Sequence, residues 1–171
     1  TFYRNKGYRD FHFINDSIQY SNDGEKMNIV FTVDEGPQYK YRNFSWEGMT
    51  LFKQEVLDRS LALDIGENYS DEDFNMAVFS RVQGLYLDRG YIYSRIEPKI
   101  TPVEEDSLDI HFVITENHKV YINQISIAGN TRTRENVIRR QLRVFPGDVY
   151  NQDLIARSYR EVMMLNYFAN A

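Results

Sequence analysis

The sequence predicts an α+β fold of tandem βααββ units, each a three-stranded mixed sheet with two helices on one face, and three observations carry that prediction. The first is a repeat. Residues 27–33, followed by Phe44, Trp46, Gly48 and Thr50, return 81 residues later as residues 108–114, then Ile125, Ile127, Gly129 and Thr131. The same register aligns Val56 and Leu57 with Val137 and Ile138, Leu61 with Leu142, Gly66 with Gly147, and Tyr69 with Tyr150, while Gly7-Tyr8 matches Gly90-Tyr91. The second is a change of hydrophobic period within each copy, from two to three-or-four and back to two. The third is the aromatic content, 13 Tyr and 11 Phe, much of it in alternating segments that suit strands.

Residues 1–40 read as the rear of one unit. They hold a helix end, a strand over 11–20, a turn at Asn22, Asp23, Gly24 and Glu25, and a strand over 27–33. Residues 41–119 read as a complete unit. Its first strand, 41–47, alternates with Phe44 and Trp46 on one side, and Gly48 breaks it. Thr50 is expected to cap a short helix whose apolar stripe is Phe52, Val56, Leu57 and Leu61. Residues 64–69 turn the chain. Ser70 is expected to cap the second helix, with Asp71, Glu72 and Asp73 in its first turn, where the helix dipole favours anions, and with Phe74, Val78, Val82 and Leu85 buried. Gly90 ends that helix, and Asn166 takes its place in the last copy, both residues that tolerate a left-handed backbone. Strands over 93–100 and 108–115 follow as a hairpin across an acidic turn at 104–107. Leu108, Ile110, Phe112 and Ile114 face the core; Asp109, His111 and Thr115 face solvent. Residues 120–171 read as the front of a unit: a strand, two helices, and Tyr167-Phe168 where a further strand begins.

Composition narrows the function classes. The chain is 42% hydrophobic and 26% charged, which is globular, and no apolar run approaches the roughly 18 residues of a membrane helix. Residues 1–10 lack the pattern of a signal peptide, so the sequence is expected to start inside something longer or matured. Without cysteine there is no disulfide framework, Cys-ligated zinc or thiol catalysis. The net charge of −5 divides unevenly: −1 over 1–40, −7 over 41–119 and +3 over 120–171. An acidic centre argues against a general polyanion binder. His12, His111 and His118 are scattered, with no second ligand in helical register, so no metal site is expected. Adjacent positions 71–73 point in different directions on a helix and do not form a paired-carboxylate site. No nucleophile motif or phosphate-cradling glycine loop occurs, and neither catalytic residues nor a cofactor are expected. A βααββ order also opens the KH module of RNA-binding proteins, but that module needs a GXXG loop; the loop here is Asp64-Ile65-Gly66-Glu67-Asn68-Tyr69.

Arg132, Arg134, Arg139, Arg140 and Arg143 cluster around a helix expected to start near Thr133, with Val137, Ile138 and Leu142 on its buried side. The arginines are either a solvated face or a docking patch for an acidic partner, a neighbouring unit or anionic headgroups.

Several runs carry a family likeness: Gly48-Met49-Thr50 and Gly129-Asn130-Thr131 after a strand, a glycine between helices, Gly90-Tyr91 before a hairpin, Val33-Asp34-Glu35-Gly36-Pro37-Gln38-Tyr39-Lys40 between units, and Ile138-Arg139-Arg140-Gln141-Leu142-Arg143. They resemble the POTRA domains of outer-membrane β-barrel assembly proteins, over nearly the whole chain. The resemblance implies a non-enzymatic periplasmic arm, the complete copy being the penultimate unit, followed in sequence by a membrane barrel that lies outside these residues. Its implied partners are unfolded outer-membrane β-barrel precursors and accessory lipoproteins, with no nucleic acid and no cofactor. Similar units serve other outer-membrane secretion transporters, and a purely structural spacer is a further alternative. The implied mode is strand addition to an exposed sheet edge, the second strand of the unit. In the complete unit that strand carries Pro98 and the charges Arg95, Glu97 and Lys99. The corresponding segment of the first unit, with Phe11, Phe13, Ile18 and Tyr20, has no proline and is expected to be the better acceptor. The two half-units are each expected to leave apolar surface in water, so that one molecule completes another.

Overall fold

The computed structural model describes residues 2–20 and 26–167. A 3₁₀ turn at Arg4–Lys6 precedes strands β1 (His12–Tyr20) and β2 (Met27–Asp34), which pair antiparallel with a bulge between Phe13 and Asn15. The expected turn at Asn22 to Glu25 lies outside the described residues. Strand β3 (Lys40–Glu47) follows, then helix α1 (Gln54–Leu61) and a long helical stretch. That stretch comprises α2 (Asp71–Asn75), a π-helical segment (Met76–Val82) and α3 (Gln83–Leu87). Strands β4 (Arg95–Val103) and β5 (Ser107–Thr115) close a three-stranded sheet of order β3-β5-β4, in which β3 runs parallel to β5 and β4 antiparallel. Helices α4 (Glu135–Arg139) and α5 (Gln152–Met164) follow.

The core lies between the three-stranded sheet and the helices on one face of it. Leu108, Ile110, Phe112 and Ile114 of β5 are buried against Leu57, Leu61, Phe74, Val78, Val82 and Tyr86. Trp46 stacks on Phe112 with centroids 4.2 Å apart and donates its indole N–H to Asp58 at 2.7 Å, so the ring is buried without an orphaned donor. Ser70 caps α2 as expected, its hydroxyl accepting from the Asp73 amide at 3.2 Å. Asn166 and Gly90 both take left-handed backbones, φ 55° and 88°.

Five expectations are corrected. Thr50 caps no helix: α1 starts at Gln54 behind Lys53, without a side-chain cap. Thr50 is instead held by Glu116, whose carboxylate accepts from its hydroxyl and from the amides of Thr50 and Leu51 at 2.8 and 2.9 Å. The late start leaves Val56 exposed, and only Leu57 and Leu61 of α1 are fully buried. In the second helical stretch Tyr86, not Leu85, is the fully buried residue. The π-helical segment is underwound, which keeps every fourth residue (Phe74, Val78, Val82, Tyr86) on the inner face. Finally, residues 122–130 form no regular strand; only Tyr121 bridges to Val149. A strand is defined by its ladder, and among the described residues no further strand lies alongside this segment. The last expected strand start falls at Tyr167, which is not in a strand, and Phe168, which lies outside the described residues.

Candidate binding edges and unit junctions

Strand edges are the candidate sites, and their value depends on which residues point main-chain groups outward. Along a strand, side-chain face and main-chain direction alternate together. The amide of Lys40 donates to Asp106 at 2.8 Å, toward β5, while Tyr41 bonds away from it: its amide donates to Glu67 at 3.0 Å and its carbonyl accepts from Gly66 at 2.7 Å. In this sheet, then, the core-facing residues of β3 turn their main chain away from β5. By the same alternation the core-facing residues of β5 address β3, its solvent-facing residues address β4, and Ile96, Pro98, Ile100 and Pro102 of β4 face the open side. Two of those four lack an N–H, which is where an edge strand tolerates proline. Arg95, Glu97 and Lys99 are exposed along the same strand.

β1 holds the equivalent place beside β2. Its outward positions are Phe13, Asp16, Ile18 and Tyr20, opposite Val33, Phe31, Ile29 and Met27, and all four keep their amides. Three of the four residues expected from sequence are therefore among the positions that present free main chain. The fourth, Phe11, precedes the strand and stacks on Tyr3, with ring centroids 4.0 Å apart. Phe13, Ile18 and Tyr20 of β1 share one face with Met27, Ile29 and Phe31 of β2 and stand in water, Phe13, Tyr20 and Phe31 each at least 60% exposed.

The five arginines divide. Arg139 pairs with Glu135 on its own helix, and Arg143 pairs with Glu161 of α5 at 2.9 Å. Arg132, Arg134 and Arg140 line a shallow concavity of about 530 Å³ with Val137 and Tyr167, and no ion pair to these three is found among the described residues. α4 starts two residues later than expected, behind Arg134, with Ile138 its buried residue. Of the histidines, His12 bonds to the Asp10 carbonyl, His111 lies between Ser45 and Glu47, and His118 packs at a tilt against Tyr93. No group of metal-ligating side chains occurs among the described residues.

The junctions between units were not legible in advance, and they are built alike. Tyr39 donates its amide to the Gly7 carbonyl, and Val120 to the Gly90 carbonyl, each at 2.9 Å. Tyr69 donates to Tyr39 at 2.8 Å, and Tyr150 to Val120 at 3.0 Å. A side chain from the preceding unit then caps the next unit's second helix. Asn5 accepts from the Glu72 amide at 3.2 Å, and Asp88 from the Asp153 amide at 2.9 Å. At the second junction a Cβ on residue 90 would stand 2.5 Å from Val149 Cγ1, so the contact requires glycine. The available signal was small: a polar residue two positions before each repeated glycine.

A family model described as POTRA, surface antigen variable number repeat, matches residues 39–117 and 120–171, two stretches that start at the paired junction residues Tyr39 and Val120. The chain belongs to the POTRA family. Among curated proteins, the outer membrane protein assembly factor BamA of Neisseria meningitidis serogroup B is 35% identical over 171 residues, covering 99% of this chain and 21% of that protein. The factor of the same name from Nitratidesulfovibrio vulgaris is 30% identical over 170 residues, covering 96% and 21%. The chain thus spans about a fifth of the length of these relatives, whose names are those of assembly factors and not of enzymes. Among solved structures, Haemophilus influenzae BamA POTRA3-5 superposes with a TM-score of 0.78 at 21% identity, covering 99% of this chain and 67% of that one. BamA from Haemophilus ducreyi lacking POTRA domains 1-3 gives 0.53 at 20% identity over 67% of this chain and 21% of that one. These two likenesses bear on the fold: tandem POTRA units with a three-stranded sheet and helices on one face.

Proposed function

We propose that this chain is part of a periplasmic, non-enzymatic binding scaffold that takes part in assembling and inserting β-barrel proteins into the outer membrane. In this reading it receives extended segments of unfolded precursors by strand addition at β1. The observation that carries the reading is the contrast between equivalent edges: β1 offers four outward residues with intact amides, whereas β4 loses two of its four donors to Pro98 and Pro102. Main-chain pairing gives affinity with little sequence preference, which suits varied clients. The open arginine concavity at Arg132, Arg134 and Arg140 is proposed to dock an acidic surface of an accessory lipoprotein, while Arg139 and Arg143 are engaged by Glu135 and Glu161. An unfolded barrel-strand peptide titrated into isotope-labelled chain tests the first part. Amide shifts should concentrate at Phe13, Asp16, Ile18 and Tyr20; shifts centred on Pro98 would reverse the ranking of the edges, and no saturable shift at either would remove strand addition.

A further inference from the structure

β3 is a further sheet edge, and what lies beside it differs from what lies beside β1 and β4. Phe44 and Trp46 face the core, so they turn their N–H and C=O groups to the open side, as Tyr41 does. The loop at Gly66 and Glu67 covers Tyr41, but no hydrogen bond among the described residues reaches the main chain of Phe44 or Trp46 from that side. Next to this free stretch is a groove of about 480 Å³ between β3 and α1. Phe44, Leu61, Leu63 and Ile65 form its apolar wall, and Asp58 and Asp64 stand in its lining. Ile65 is 67% exposed, an apolar lip with no cover.

The last unit shows what chemistry fits there. In the repeat register Ile125 stands for Phe44, Leu142 for Leu61, Val144 for Leu63, and Arg139 for Asp58. Arg139 reaches across to the Ile125 carbonyl at 3.5 Å while paired with Glu135, so a cation from the unit's own helix meets the carbonyl at this position. In the complete unit the same position is an acid, engaged with the Trp46 indole, and the carbonyl of Phe44 has no such cover. The complete unit therefore presents the acceptor and the anions, and lacks the cation.

We infer that the β3 edge of the complete unit is a second strand-addition site, selective for an extended segment that carries an arginine or lysine. The segment's main chain pairs with Phe44 and Trp46; an apolar side chain rests on Leu61 and Leu63; its cation takes the place that Arg139 holds in the last unit, between the Phe44 carbonyl and the Asp58 and Asp64 carboxylates. The local acidity of residues 41–119 favours such a segment over an acidic one. The inference does not depend on strand addition at β1.

The test uses the whole 171-residue chain, isotope-labelled, and a short unstructured peptide of alternating valine and arginine. Saturable amide shifts are expected at Phe44, Trp46, Leu63 and Ile65. Asp64→Lys, an exposed position, should weaken binding roughly tenfold at low salt, because it replaces an attraction by a repulsion. The same peptide methylated on alternate main-chain nitrogens should lose binding, since it cannot complete the ladder. Equal binding by a valine–glutamate peptide or by the methylated peptide would overturn the inference. So would shifts confined to β1, a result that leaves the proposed function standing and removes only this site.

Discussion

Glu116 does more for the complete unit than its place after the last strand suggests. Its carboxylate gathers the Thr50 hydroxyl, the amides of Thr50 and Leu51, and the Tyr86 hydroxyl at 3.3 Å, tying the exit of β3 to the exit of β5 and to α3. Desolvation works against its charge, but these donors outweigh it and hold its pKa below the ordinary 4.5. Burial pushes the Tyr86 hydroxyl up, and so keeps it a donor at any working pH. Glu116→Ala should cost about 2 kcal/mol at neutral pH, in the range for bonds to a charged group. Because the folded pKa is depressed, that stabilisation is complete above the ordinary glutamate value and is lost as pH falls through the folded one. Denaturant melts of both proteins at several pH values should therefore show the gap closing in acid; a gap that widened would contradict the assignment. Two other residues are as particular. Trp46→Ala removes a ring stacked on Phe112 and should cost about 3–5 kcal/mol, read from the shift of the melting midpoint. Gly48 has φ 81°, and a Cβ there would stand 2.1 Å from the Ile114 carbonyl, so Gly48→Ala should destabilise although it adds only a methyl group.

Among the elements, the second helical stretch shows how a local irregularity serves packing. A regular helix would bring Leu85 onto the line of Phe74, Val78 and Val82; the π-helical turn brings Tyr86 there and with it the hydroxyl that Glu116 needs. α5, the equivalent helix of the last unit, is regular, and its buried positions are Ser158 and Val162. Both helices begin with a side-chain cap, Ser70 in one and Asn151 in the other. Ser70→Ala should cost about 1 kcal/mol. Amide exchange would report it as faster exchange at Asp73, the amide that Ser70 accepts from, and unchanged exchange there would mean the cap is not holding the turn. β1, β2, β3 and β4 are all edges by topology, yet they differ in what they present: Pro98 and Pro102 remove donors from β4, a loop covers the start of β3, and among the described residues nothing covers the outward side of β1.

At the scale of the whole molecule, two apolar surfaces stand open among the described residues. One is the β1–β2 face with Phe13, Ile18, Met27, Ile29 and Phe31; the other is a groove of about 480 Å³ in the last unit, walled by Ile125, Ile127, Ile138, Leu142, Val144 and Val162. The complete unit shows how such surfaces meet, since there the β4–β5 hairpin lies over the corresponding helices. The 171-residue chain is accordingly expected to self-associate, the hairpin of one molecule entering the groove of another. Light scattering across a wide concentration range should show a rising mass, and Phe31→Asp should suppress it; a monomer at all concentrations would refute the expectation. The paired junctions act at the same scale. With Gly7 and Gly90 accepting the same bond, and Asn5 and Asp88 capping the next helix, each unit's second helix is tied to the unit before it.

Periodicity alone was enough to reveal the fold class, the paired strands and most of the core, because a buried strand or helix face must repeat its apolar residues at the period of the element. Trp46, Phe74, Val78 and Phe112 were legible for that reason, and so were the left-handed Gly90 and Asn166 at helix ends. The anchoring of Thr50 by Glu116 was not, since it joins residues 66 apart in sequence through side chains that carry no local period. Nor was the missing strand at 122–130, because a strand exists only where a neighbour supplies the ladder. The candidate edges divide in the same way: prolines mark a poor edge in sequence, but which amides face outward, and which groove lies beside them, is decided by the pairing of strands that only the folded chain brings together.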